Sequence, residues 1–588
     1  SKGVTVDVKE WNRNDGFSPN TPLLTYFPKL DAAASKLPGW ADIGGSILPD
    51  APIVLVDTTT STRIPLWAEV DSHAKLDTDR LLTIRPATPL AEGHHFAIGI
   101  RHLVDHNGTA YAPSATFRAY RDGLVTTIHS VEGRRADMEQ AFAALGHEGA
   151  NRSDLQLAWT FTTASEGNIA GRMLHIRDDA LAALGTAAPA YTITKVTPNS
   201  DSNIAVQIQG TYTVPNYLTG DGSPGNRFHY ATAAVDALPQ VNPAHPTLQS
   251  PFLCNISVAT MKGHTAAHLV EYGHGLLGGN DEINAGNVRD MSNESNSVYC
   301  ATKWAGMSED DIGNAASTLA QFGQFPTMAD RLQQGVLNQI FLGRLMTRSG
   351  GRADAKVFHR ADGSSIVDRA HLFYDGNSQG GIMGLMLAAV SPDIERSVLG
   401  VPGMNYSLLL PRSVDFDTYE AIMKPAYPSD LDRTLLFGIV QMLWDRGEGA
   451  GYVQHVTSQP YEGTSPGPVL LDVAFGDHQV TPLSAFVEAR ALHLTIHQPI
   501  IAAGRGALDK AAWGLDATTY PSSGSGIIVW DSGVAPMPVE NLAPRVGDDS
   551  HEDPRADANV RKQKTDFLFQ GLLLDLCGAK ACTAAHRT

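Results

Sequence analysis

Gly376-Asn377-Ser378-Gln379-Gly380 lies between two apolar runs of different kinds. Before it, Ala370-His371-Leu372-Phe373-Tyr374 is short and suited to a buried strand. After it, Gly381-Ile382-Met383-Gly384-Leu385-Met386-Leu387-Ala388-Ala389 is long enough for a buried helix. A serine at the tip of such a strand-to-helix turn has its Oγ lifted above the sheet, which is where a nucleophile is needed. Small residues on either side let the strained turn form and let the helix pack close to the strand. Ser378 is therefore the candidate catalytic nucleophile.

The same pattern occurs a second time, at Gly463-Thr464-Ser465-Pro466-Gly467. Pro466 has no N–H, yet the residue after a nucleophilic serine must donate a backbone hydrogen bond to the oxyanion. This copy also precedes a strand-like run, Val469-Leu470-Leu471-Asp472-Val473-Ala474, instead of following one. Ser465 reads as a loop serine.

The chain has 588 residues, enough for several cores at roughly 100–200 residues per domain. Its 43% hydrophobic and 7% aromatic content are those of an ordinary globular protein. A net charge of −18 without a long basic tract argues against nucleic acid or an anionic membrane as the main partner. No apolar run approaches the roughly 20 residues that span a bilayer, so integral membrane association is not expected. No signal peptide is legible, but the sequence starts at Ser1 without methionine, so a removed leader is compatible with export.

Residues 1–160 read as a β-rich module of their own. Ile53–Asp57, Ile64–Val70 and Leu81–Pro86 are short strand-like runs, and Pro89-Leu90-Ala91-Glu92-Gly93-His94-His95-Phe96 leads into another. The turn signal Asp105-His106-Asn107-Gly108 follows. This succession resembles the immunoglobulin-like modules of secreted bacterial proteins. Residues 161–189 read as a connecting helix, with apolar positions at Ile169, Met173, Ile176 and Ala180. From residue 190 to 588, apolar strands alternate with helical segments, which predicts an α/β domain with a largely parallel sheet. An insertion at 405–467, with a helical run from Leu431 to Trp444, is the expected cap.

A serine hydroxyl needs a base to take its proton and an acidic group to orient that base. Strand, G-x-S-x-G, helix resembles the nucleophile elbow of the α/β-hydrolases, where the chain order is serine, acid, histidine. The acid should follow the strand 469–474, and Asp477 stands there in Gly476-Asp477-His478-Gln479-Val480-Thr481-Pro482. Asp472 falls inside the strand and is expected to be buried in the sheet. The histidine should follow the strand Gly526–Trp530; His551, in His551-Glu552-Asp553-Pro554-Arg555, is that residue. His478 and His497 are rivals in the wrong order. Two N–H groups must receive the oxyanion. One is that of Gln379 at the helix N-terminus; the other is expected from Leu276 in Gly273-His274-Gly275-Leu276-Leu277-Gly278-Gly279. His274 is expected to brace this loop beside the substrate, and Trp304 to line the pocket.

Residues 190–588 thus resemble a secreted bacterial serine esterase or lipase of the α/β-hydrolase superfamily. With the module in front, the chain is similar to bacterial lipases carrying a virulence-factor-lipase-type N-terminal domain. The resemblance implies a carboxylic ester hydrolase with a Ser-His-Asp triad, acting on ester or lipid small molecules or on polymeric esters. Four cysteines remain, and export favours two disulfides, Cys254–Cys300 and Cys577–Cys582, over four free thiols. None has zinc-like spacing, and no H-E-x-x-H or other metal or cofactor motif is legible. A peptidase or amidase on the same fold is the first alternative, and a catalytically dead binding protein or adhesin is the second.

Overall fold

A computed structural model describes residues 3–360 and 362–587. Its N-terminal part contains β1 (Leu23–Thr25), β2 (Ile53–Asp57), β3 (Thr62–Arg63), β4 (Leu66–Val70), β5 (Leu82–Pro86), β6 (His95–Arg101) and β7 (Leu155–Thr162). These form two antiparallel sheets, ordered β1-β5-β4 and β3-β2-β6-β7. Ile53 and Leu55 face a core shared with Ile84, Phe96 and Ile98. Val54 and Val56 point the other way, onto Phe117, Met138 and Phe142. Burial on both faces explains why β2 reads as an unbroken apolar run.

The second face is covered by helices Ala115–Arg121 and Arg135–His147. These helices add to the β-rich pattern expected of residues 1–160. The signal was Met138, Ala141, Phe142 and Leu145, buried at helical spacing. The connecting segment is helical as Glu166–Ile169 and Gly171–Leu184.

The large sheet is built from β8 (Tyr191–Pro198), β9 (Ile204–Pro215), β10 (Thr247–Ser257), β11 (Ala267–Gly273), β12 (Ser297–Ala301), β13 (Val367–Asn377), β14 (Ile394–Gly400), β15 (Val469–Ala474), β16 (Thr495–Ile496), β17 (Asp516–Ala517) and β18 (Gly526–Asp531). Its order is β17-β16-β18-β15-β14-β13-β11-β12-β10-β9-β8, and β19 (Cys582–Thr583) pairs with β18. Every pairing from β12 to β17 is parallel, while β8, β9 and β10 are antiparallel additions. A mostly parallel sheet with helices is the α/β architecture expected. Strand order reverses between β11 and β13, which lie side by side with Gly273 opposite Gly376. The crevice beyond the carboxyl ends of strands at such a switch point is where ligands bind in open α/β sheets.

The 405–467 insertion follows β14 and carries helices Tyr406–Leu409, Asp417–Ala426 and Asp430–Trp444. The N-terminal part is anchored to it. Glu69, on β4, binds both Arg85 and the insertion's Arg412. Thr434 Oγ1 donates to Asp71 Oδ2 at 2.7 Å, and Thr21 Oγ1 to Gly438 O at 2.8 Å. Trp11, Trp40 and Trp67 enter the same apolar core as the helices beneath the insertion. Both disulfides form. Cys254–Cys300 joins directly opposed residues of β10 and β12, and Cys577–Cys582 closes a C-terminal loop. Among the described residues no helix is long and apolar enough to cross a membrane.

Candidate active site

β13 ends at Asn377 and the helix Gln379–Val390 begins two residues later, leaving Ser378 to make the reversal alone. Its φ of 59° and ψ of −123° lie where side chains are rarely found, at a cost of about 1–3 kcal/mol. Neighbours hold it there. Ser378 N–H donates to Gly400 O at 2.9 Å, and Ile382 N–H to Ser378 O at 3.0 Å. The flanking glycines are needed for close approach: a Cβ on Gly380 would lie 2.0 Å from Gly273 O, and one on Gly376 would lie 2.5 Å from Gly380 O. Beneath the turn, buried Lys564 Nζ donates to Asp375 Oδ1 at 3.0 Å and to Asn377 Oδ1 at 3.1 Å.

Asp477 follows β15 and His551 lies beyond β18. His551 Nδ1 lies 2.8 Å from Asp477 Oδ2, with both side chains buried. Burial alone would lower the imidazole pKa, but the charge and hydrogen bond of Asp477 outweigh it and raise it. The other carboxylate oxygen, Asp477 Oδ1, accepts the N–H groups of Gln479 and Val480 at 2.8 and 2.9 Å. Asp477 is thus both a turn residue and the partner of the histidine, through different oxygens. His551 Nε2 has no partner among the described residues. It shares a cavity with Ser378, although no Ser378–His551 hydrogen bond is made.

Two backbone N–H groups beside Ser378 are free among the described residues. That of Gln379 is the first of its helix, where no intrahelical acceptor exists. That of Leu276 is flanked by occupied ones: Gly275 N–H donates to Glu282 Oε2 at 2.6 Å, and Leu277 N–H to Met307 O at 3.1 Å. A Cβ on Gly275 would sit 3.8 Å from Ser378 Cβ, so the loop passes against the serine.

His274 and Trp304 are placed differently from the expectation that they contact substrate. Both are fully buried and line neither cavity at Ser378. His274 Nδ1–H donates to Gly275 O and its Nε2 accepts Trp304 N–H, each at 2.8 Å. Burial lowers its pKa to about 4, which keeps the ring in the neutral form this bridge requires. Met307, three residues after Trp304, reaches the cavity instead. Of the rival histidines, His497 is engaged with Tyr520 and the Lys580 carbonyl, and His478 supplies backbone contacts to Asp549 and Val414. Ser465 is an exposed loop residue, and Asp472 is buried in the sheet bonded to Trp530.

Two carboxylates that carry the site's geometry escaped the sequence reading. Glu282 takes Gly275 N–H and also accepts Tyr272 OH at 2.9 Å. Asn377 Nδ2 in turn donates to that hydroxyl at 3.2 Å, which ties the Ser378 turn to the Gly275 loop. Asp549 Oδ1 accepts the N–H groups of His478 at 3.0 Å and His551 at 3.1 Å, while its Oδ2 accepts Gln479 Nε2 at 2.9 Å. It fastens the acid loop to the histidine loop. Asp548-Asp549-Ser550 before His551 was a visible signal; nothing in the sequence marks Glu282.

Two cavities meet at Ser378. One is walled by Met307, Phe325, Met328, Ile382, Leu409 and Trp444 among others, so the insertion forms much of its cover. The second is polar and contains His551, Glu282, Glu552, Arg555 and Arg587.

No family model matches the chain, and no curated protein does. Solved structures with some likeness include acetyl xylan esterase 1 from Thermoanaerobacterium sp., at 13% identity and a TM-score of 0.34, covering 55% of this chain and 84% of that one. An S-formylglutathione hydrolase from Agrobacterium tumefaciens has 12% identity and a TM-score of 0.28, with 58% and 91% covered. A glucuronoyl esterase from Teredinibacter turnerae has 11% identity and a TM-score of 0.28, with 52% and 66% covered.

Proposed function

We propose that this chain is an α/β-hydrolase that cleaves carboxylic esters through a Ser378–His551–Asp477 triad. The observation that carries the reading is the buried His551–Asp477 pair, whose unpartnered Nε2 shares a cavity with an elbow serine. Ser378 Oγ attacks the ester carbonyl as its proton passes to His551 Nε2, and Asp477 stabilises the resulting imidazolium. The oxyanion is received by the free N–H groups of Gln379 and Leu276, in a partly water-excluded site where such bonds are strong. Collapse of the intermediate expels the alcohol, which takes the proton from His551. Water, deprotonated by the same nitrogen, then releases the acid and regenerates the serine. The apolar cavity suits the acyl group and the polar one the departing alcohol.

The two disulfides fit an oxidising compartment, which supports export of the protein. In this reading residues 1–160 are the N-terminal unit, 161–189 the connecting helix, whose Met173, Ile176 and Ala180 pack in the core of the larger part, and 190–588 the catalytic unit, with 405–467 as its cover. The test is a fluorophosphonate probe together with p-nitrophenyl esters set against aminoacyl anilides. Labelling with ester turnover supports the reading. Labelling with anilide turnover alone would make the chain a peptidase or amidase. No labelling would leave it a binding protein.

A further inference from the structure

Four residues, Leu276, Ser378, Asp415 and Gln479, line both cavities and so form the neck between them. Asp415 is the one ionisable side chain of the four. It stands on the single turn Val414–Phe416, at the start of the insertion. Its backbone is fixed: Asp415 N–H donates to Ser413 Oγ at 3.2 Å, and Val414 N–H donates to His478 O at 3.0 Å, next to Asp477. Its carboxylate is not fixed, because no described residue donates a hydrogen bond to it.

Most neighbouring charges are engaged elsewhere, Asp477 and Asp549 among them, while Nε and Nη2 of Arg555 have no partner among the described residues. Arg545 holds Asp417 through two bonds of 2.5 and 2.6 Å. In the polar cavity, Arg555 and Arg587 both face Glu552, at 3.0 and 3.7 Å. Glu282 is occupied by Gly275 and Tyr272. His551 directs its Nδ1 to Asp477. A half-buried carboxylate with an open acceptor, carried on a fixed backbone beside a nucleophile, costs desolvation that a donor on the substrate would offset.

Resting on the ester-hydrolase reading above, we infer that Asp415 is a specificity-determining residue that selects esters of hydroxyl-bearing alcohols, with the acyl chain in the apolar cavity and the polyol in the polar one. The lining decides for a neutral polyol over an ion. An anionic alcohol would meet Asp415, Glu282 and Glu552, and a cationic one would meet Arg555 and Arg587. Hydroxyls both donate and accept, so they satisfy a wall of mixed sign.

The experiment holds the acyl group constant and changes the alcohol. Values of kcat/KM are measured for glycerol monobutyrate and ethyl butyrate with the full-length protein and with Asp415→Leu and Asp415→Asn. The readout is the ratio of the two values, which a general loss of activity or of folded enzyme does not move. The unaltered protein is expected to favour glycerol monobutyrate. A lost hydrogen bond to a charged group corresponds to about 10- to 100-fold, so the ratio should fall by at least about tenfold in Asp415→Leu. It should fall by about threefold or more in Asp415→Asn, which keeps the shape and loses the charge. A ratio within twofold of the original in both variants overturns the inference, as does a preference of the unaltered protein for ethyl butyrate. Failure of the underlying reading looks different: Ser378→Ala would then retain turnover of both esters.

Discussion

Glu282 Oε2 accepts the backbone N–H of Gly275 at 2.6 Å, and that contact determines which donors of the oxyanion loop stay free. With Gly275 committed to Glu282 and Leu277 to Met307, the N–H of Leu276 is left beside Ser378. A carboxylate seven residues along the chain therefore leaves free the N–H that the proposed mechanism uses as an oxyanion donor.

Replacing Glu282 with glutamine keeps the size and removes the charge that holds Gly275. Loss of one oxyanion donor typically costs 10²–10³ in kcat, and loosening one should cost part of that, about tenfold or more. Steady-state kinetics on p-nitrophenyl butyrate should show the loss in kcat with little change in KM. A change confined to KM would show that Glu282 acts on substrate binding.

The pH dependence follows from His551. Its pKa lies above the ordinary 6.5, because the charge and hydrogen bond of Asp477 overcome burial. A general base works in its neutral form, so the acid limb of the kcat/KM profile should lie above pH 6.5. The stability term has the opposite sense. A group whose folded pKa is raised contributes stability fully present below its unfolded value and lost as pH rises through the folded value. Activity should therefore rise over the same window in which the His551–Asp477 contribution to stability falls. Replacing Asp477 with asparagine should remove the stability slope in that window, as read by urea unfolding at a series of pH values.

Gly380 tests the elbow's packing. Its Cβ would lie 2.0 Å from Gly273 O, a backbone atom that cannot step aside. Gly380→Ala should destabilise the protein by about 1–3 kcal/mol or more and displace Ser378 from its place. Ser465→Ala, on an exposed loop, should leave both melting temperature and turnover close to the original. Equal effects from the two substitutions would contradict the assignment of the elbow.

The disulfides should separate by access. Cys254 and Cys300 are both fully buried, whereas Cys577 is partly exposed in a short C-terminal loop. Mild reductant without denaturant, followed by alkylation and mass measurement, should modify Cys577 and Cys582 first. Four thiols alkylated in the unreduced, denatured protein would show that neither bridge forms.

Legibility in the sequence followed the range of the interactions. The strand and helix around Ser378 were readable because each is a local apolar run, and helix 379–390 and strand 469–474 have the bounds expected of them. The carbonyl-end loops were readable because glycines there serve close backbone approach. The helices at 115–147 are hard to read because the strands before them and the strand Leu155–Thr162 after them dominate the pattern. Trp304 was misplaced because an aromatic near a glycine-rich loop suits a pocket and a core equally. Its side chain is fully buried and its N–H is bound to His274. Asp549 and Asp415 depend on which distant segments meet, which no periodicity encodes; Glu282 reaches back only as far as Gly275 and Tyr272, across an irregular turn that has no periodicity to read.

In the proposed mechanism Ser378 is the nucleophile and His551 activates it. The most direct test of these roles is reaction with a fluorophosphonate, followed by peptide mass spectrometry to locate the adduct. The adduct is expected on Ser378, at a rate that falls at least about 10³-fold in His551→Ala, while Ser378→Ala is neither labelled nor active. An adduct on another residue, or ester turnover that survives Ser378→Ala, would contradict it.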